Sequence, residues 1–120
     1  MDLENKVINL CIAGTQAEYE GGRQDAAKIY TQAWDVAEND YKFCIAAHYV
    51  ARFQAGPRDS LRWNHLSLEH ANLVNDARVA DFYPSLYLNI GWSYERLGNL
   101  SEATMYYKLA SDLGVIHQPD

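Results

Sequence analysis

The stretch YLNIGWSYERLGNLSEATMYYKLA, residues 87–110, decides how this chain of 120 residues is read. Its small residues Gly91, Ala103 and Ala110 alternate with the large Tyr87, Ile90, Tyr94 and Tyr107 at steps of three and four. Such steps put side chains on one helical face, so that small and large groups interleave where two helices meet. Gly98 separates the two apolar runs, at a point where a helix can stop and the chain reverse. The pattern occurs a second time, earlier in the chain. Gly14, Gly21, Ala26, Tyr30 and Ala33 match Gly91, Gly98, Ala103, Tyr107 and Ala110, each pair 77 positions apart. A repeat of this kind is weighed before any local structure, because it sets the whole fold.

The order Tyr87-x2-Ile90-Gly91-x2-Tyr94, Gly98, Ala103-x3-Tyr107-x2-Ala110 resembles the tetratricopeptide repeat, a helix–turn–helix unit of about 34 residues. Val115 stands where that family's closing proline usually falls. The earlier copy keeps the small residues and loses some of the large ones, with Leu10, Ala13, Gly14 and Ala17 in the matching first-helix places. A middle unit is placed by position alone. With Gly56 at its turn, Leu61, His65 and Leu68 take the small, aromatic and small places of its second helix. Its first helix runs through Cys44, Ala47, His48 and Ala51, in a register ambiguous by one residue. Gly56 lies 35 residues after Gly21 and 42 before Gly98, so a longer connection is expected near residues 75–83.

The resemblance implies an all-α fold in one domain, residues 1–120, built as three stacked helix–turn–helix hairpins in a right-handed α-solenoid. The units fall at about 5–39, 41–75 and 82–114, with helices near 3–19, 23–39, 41–54, 59–75, 82–97 and 101–113. Asp59 with Ser60, and Ser101 with Glu102, are the expected helix starts, since side-chain oxygens can accept free N–H groups there. Pro84 fits only a first turn. Gly98 and Gly114 sit where helices should end. One unit cannot bury its own apolar stripe, so three must stack.

Sixteen acids against ten bases give a formal net charge of −6. The imbalance is uneven: residues 1–40 hold eight acids and three bases, residues 41–80 three acids and five bases. An acidic chain is poorly suited to phosphate backbones, which argues against nucleic acid as a partner. The basic middle, with Lys42, Arg52, Arg58, Arg62 and Arg78, either attracts an acidic peptide or is a set of scattered solvated charges. No apolar run nears the roughly 18 residues of a membrane span. The first six residues carry two acids and one lysine, unlike a signal peptide. Cys11 and Cys44 lie in apolar stripes as ordinary small buried thiols, and a reducing, cytoplasmic setting is expected. No membrane contact is expected.

Members of the tetratricopeptide family commonly hold an extended peptide or a partner's helix in a concave groove lined by first helices. Carried over by position, the groove residues are Thr15, Glu18 and Tyr19 from the first unit and Ser85, Asn89, Trp92 and Arg96 from the last. An asparagine amide both donates and accepts, and an arginine offers a planar fork to a carboxylate. Trp92 reads either as a binding hot spot or as packing against the preceding helix. The first unit lacks the Lys and Asn pair of members that clamp chaperone tails. The resemblance thus implies a non-catalytic interaction module or scaffold for a protein or peptide partner. A regulatory, ligand-sensing domain within a larger assembly is the alternative. Tyr94, Leu97, Leu100, Met105, Tyr106, Leu109 and Leu113 exceed what the last hairpin can bury, which suggests a homodimer through the C-terminal end.

An enzyme would have to be built from Cys44, His48, His65, His70 and Asp81. Cys44 and His48 stand four apart, as a nucleophile and base would. Both also fall on the expected core stripe, where satisfied packing is the simpler account. His65 and Glu69 could share a metal ion but have no third ligand. No phosphate-cradling loop or hydrolase motif occurs. Neither a catalytic residue, a metal nor a cofactor is therefore expected.

Overall fold

The computed structural model describes residues 5–114, and every regular element among them is helical. The order is α1 (Lys6–Tyr19), α2 (Arg23–Val36), α3 (Asp40–Ala51), α4 (Pro57–Val74), α5 (Ala77–Ala80), α6 (Phe82–Arg96) and α7 (Leu100–Asp112). The main contacts pair α1 with α2, α3 with α4 and α6 with α7, while α2 meets α3 and α4 meets α6 between the pairs. Three hairpins therefore pack in chain order. None of the described helices is long and apolar enough to cross a membrane.

The 77-residue offset extends to individual atoms. A Cβ built on Gly14 would fall on the Tyr30 ring, and one built on Gly91 would lie 2.8 Å from the Tyr107 ring. Glycine thus lets the ring of the second helix rest directly on the backbone of the first. Tyr30, Ala26 and Ala33 are fully buried, as is Ala110, with Ala103 nearly so. The turns match as well. Gly21 and Gly98 both take φ of +82°, a left-handed conformation that glycine adopts at little cost. The N–H of Gly22 bonds the Ala17 carbonyl at 2.9 Å, as Asn99 bonds Tyr94 at 2.9 Å. The N–H of Gly21 bonds the Glu18 carbonyl at 3.0 Å, as Gly98 bonds Glu95 at 3.0 Å. This pair of bonds satisfies carbonyls that the helix end would leave open.

The core continues across hairpins. Val7, Cys11, Tyr30, Ile45 and Val50 join α1, α2 and α3, while Cys44, Ala71, Val79 and Leu86 join α3 to α6. Tyr30 stacks on Tyr49 at 4.9 Å, and Trp34 meets Phe43 at 4.9 Å and Trp63 at 5.0 Å. Each such ring pair adds about 0.5–1.5 kcal/mol beyond area burial.

Several expectations are corrected. Three helix starts use asparagines: Asn99, not Ser101, caps α7 by accepting from the Glu102 N–H, and Asn39 and Asn5 likewise accept from Lys42 and Ile8 at the starts of α3 and α1. Helix α4 begins at Pro57 after Gly56, and Ser60 is not a cap; its hydroxyl donates to the Ala51 carbonyl at 2.9 Å. In the second helix of the middle unit, the residues turned to α3 are Ser60, Asn64 and Ser67, one position before Leu61, His65 and Leu68. The Ser67 hydroxyl donates to the Cys44 carbonyl at 2.8 Å. Hydroxyls that bond backbone carbonyls fill this seam, so an apolar pattern could not reveal it. Tyr94 and Tyr106, expected at the exposed end, stack on each other and meet His65. The long connection holds one further helical turn, α5, capped by Asp76 and pinned by buried Val79.

Replacing either close-contact glycine with alanine should lower stability by about 1–3 kcal/mol, because the facing ring has to move out of a filled core. Denaturant unfolding of Gly14→Ala and Gly91→Ala checks this. Unchanged midpoints in both would refute the shared contact.

Candidate functional site

Three residues of α6, Asn89, Trp92 and Arg96, follow one another at steps of three and four and so share a face. They line one wall of a cleft of about 470 Å³. Arg23 at the start of α2, Arg52 at the end of α3 and Asn64 in α4 complete it. Every hairpin contributes a wall. No acidic residue lines it.

The three arginines differ in their attachments. Arg52 bonds Glu18 at 2.9 Å, and Glu18 also accepts the Tyr30 hydroxyl proton. Burial, and then that bond to Glu18, push the Tyr30 hydroxyl up to about 12. Arg23 lies over the Phe53 ring at 4.8 Å and Arg96 over Trp92 at 4.7 Å. Neither makes an ion pair among the described residues. Trp92 remains 47% exposed despite the guanidinium above it. Asn64 is 4% exposed, and its Oδ1 has no hydrogen-bond partner.

The residues expected to line one groove divide between two places. Thr15 and Tyr19 border a second, more apolar cleft of about 420 Å³, together with Ile12, Tyr41, Tyr49 and Phe82. The Thr15 hydroxyl is already spent on the Cys11 carbonyl, whereas Tyr19 is 87% exposed. Glu18, through Arg52, links the α1 side to the basic cleft. Ser85, also exposed, borders neither cleft. Arg23, Arg52 and Asn64 were missed as partners of Asn89 and Arg96, because they come from three other helices and share no sequence spacing. The basic middle of the chain is largely dispersed: Lys42 pairs with Glu38, Arg62 with Asp59 and Arg78 with Asp76.

The side chains weighed for catalysis are separated. Cys44 faces α4, where its thiol lies 3.5 Å from the Ser67 hydroxyl, and burial pushes it up. His48 meets Tyr49 and Phe82 instead, and His65 meets the Tyr94 hydroxyl at 3.3 Å. His70 bonds Asp40 at 2.8 Å. Both cysteines are free and buried, and burial holds the Cys11 thiol up at about 12. Among the described residues, no three His, Cys, Asp or Glu side chains are grouped so as to hold a metal ion.

Compared with known proteins, the chain matches no family model, no curated protein and no solved structure. The tetratricopeptide likeness therefore stays a resemblance of residue pattern, and the repeated glycine–tyrosine contacts are this chain's own.

Burial, and then the nearby Arg52, lower the His48 pKa below its ordinary 6.5, and burial lowers that of His65. Below about pH 6.5 the unfolded chain takes up protons that the folded chain refuses, so stability is full above that pH and falls beneath it. Wild-type unfolding midpoints should drop between about pH 7.5 and about pH 5.5, and His48→Leu should flatten the drop. Equal slopes in both proteins would exclude His48 as a source.

Proposed function

We propose that this protein is a non-catalytic interaction module, a tetratricopeptide-like right-handed stack of three hairpins that holds a peptide or helix of a partner protein. The convergence of Asn89, Trp92 and Arg96 on one cleft carries this reading. A half-exposed tryptophan flanked by an amide and a guanidinium has the make-up of a binding hot spot, with the polar groups fixing register. The separation of Cys44, His48 and His65 favours a binding role over an enzymatic one. The two buried thiols suit a reducing compartment, and we place the module in the cytoplasm.

Trp92→Ala and the double variant Asn89→Ala/Arg96→Ala should stay within about ±0.5 kcal/mol of wild-type stability, since these side chains project from the folded core. Affinity capture from native extract should lose its protein partners with both variants. Retention of every partner by folded variants would move the binding site elsewhere.

A second surface supports self-association. Leu100, Leu113 and Met105 are 64, 53 and 46% exposed, and Leu97 and Leu109 each 37%, all on the last hairpin. An apolar patch at the end of a stack calls for a cover. A two-fold homodimer through this end brings identical patches together. Light scattering should give twice the chain mass, falling to one with Leu100→Glu/Met105→Glu. A monomer at high concentration would rule the dimer out.

A further inference from the structure

The cleft that joins the three hairpins has room for a small molecule, and its lining divides into a charged half and an aromatic half. We infer that it is a binding site for a nucleoside diphosphate, with the base on Trp92 and the phosphates held by Arg23 and Arg96. The inference goes beyond the interaction-module reading and does not depend on it. A partner seated on Asn89, Trp92 and Arg96 and a nucleotide would compete for the cleft.

The charged half is built from arginine. In a chain of net charge −6, Arg23, Arg52 and Arg96 line one cleft and no acid does. Glu18 occupies Arg52 at 2.9 Å, while Arg23 and Arg96 make no ion pair among the described residues. Each of those two is laid on a ring instead, Arg23 on Phe53 at 4.8 Å and Arg96 on Trp92 at 4.7 Å. A stacked guanidinium keeps its N–H edge for an oxyanion and has little side-chain freedom left to lose on binding. Arg23 starts α2 and Arg96 ends α6, so an anion has two walls to satisfy. A single carboxylate has two oxygens and one charge. A phosphate brings three strongly accepting oxygens and up to about two charges, and two linked phosphates supply a bidentate partner for each guanidinium.

The aromatic half adjoins it. Trp92 lines the same cleft and stays 47% exposed with Arg96 above it. Every nucleobase has a π-face, so a tryptophan serves as a platform for any of them. Asn89 stands three residues before Trp92 on the same face of α6 and offers a donor and an acceptor to a base edge. Along that face the order is amide, indole, guanidinium, which matches base edge, base plane and phosphate in a nucleotide. The cleft volume of about 470 Å³ falls within the roughly 300–1,000 Å³ of small-molecule sites and far exceeds what an inorganic anion fills. A bare anion would leave Trp92 and Asn89 unused, and a neutral ring would leave two guanidinium groups unpaired.

Titration calorimetry on the whole chain tests this by comparing ADP and GDP with their separate halves, pyrophosphate on one side and adenosine and guanosine on the other. Each diphosphate should bind about tenfold or more tighter than either of its halves, since stacking and charge pairing act together. Arg23→Gln and Arg96→Gln should each weaken ADP about tenfold. Trp92→Ala should weaken ADP more than pyrophosphate, and Trp92→Phe should recover most of that loss, a pattern that mere loosening of the fold would not produce. Pyrophosphate binding as tightly as ADP would overturn the inference and reduce the cleft to an anion site. Adenosine binding as tightly as ADP would overturn it from the other side. A folded chain that binds neither diphosphate would overturn it outright, while capture of protein partners decides the interaction reading separately.

Discussion

The contact between a glycine on one helix and a tyrosine ring on the next governs how closely the paired helices approach in the outer hairpins. Gly14 against Tyr30 and Gly91 against Tyr107 leave no room for a methyl group. Much else follows from that distance. The ring fills the space between helices, so the flanking positions must be small, and Ala26, Ala33, Ala103 and Ala110 occupy them. Because Tyr30 is held so deep, its far face is free to stack on Tyr49 of the next hairpin. Its hydroxyl reaches Glu18, which then positions Arg52 at the edge of the cleft. A packing constraint within one hairpin is thereby passed to a charge on another.

The middle hairpin solves the same problem differently. Ser60 and Ser67 bond carbonyls of α3 and bring the helices together by hydrogen bonds, where the outer hairpins rely on a ring resting on glycine. Polar residues can form a tight seam, since a buried hydroxyl that bonds a carbonyl recovers most of its desolvation cost. Asn64, between the two serines, is the member of this seam whose oxygen is buried without a hydrogen bond.

This division explains what could be read from the chain. The outer hairpins were legible because glycine, alanine and tyrosine leave a pattern, and because the same left-handed turn recurs at Gly21 and Gly98. The helical class followed, and so did six of the seven helices among the described residues. The α4 register was not legible, since its seam residues look like a solvent-facing polar face. Neither was α5, four residues long and held by an Asp76 cap and buried Val79. Of the site, the α6 wall could be found because its three side chains share one helix face. The opposite walls could not, because nearness in space between Arg23, Arg52 and Asn64 is a product of stacking and leaves no mark on sequence spacing.

The cleft draws on all three hairpins, and this bears on how the stack unfolds. In a linear array each unit is stabilised by its neighbours alone, so end units can fray while the centre persists. Arg23 belongs to the first hairpin, Asn64 to the second and Trp92 to the third, which makes the cleft a junction between units that are not adjacent in the chain. An occupant touching all three walls ties the fraying of one end to that of the other. Occupancy then acts on cooperativity as well as on total stability, turning a chain of neighbours into a closed circuit.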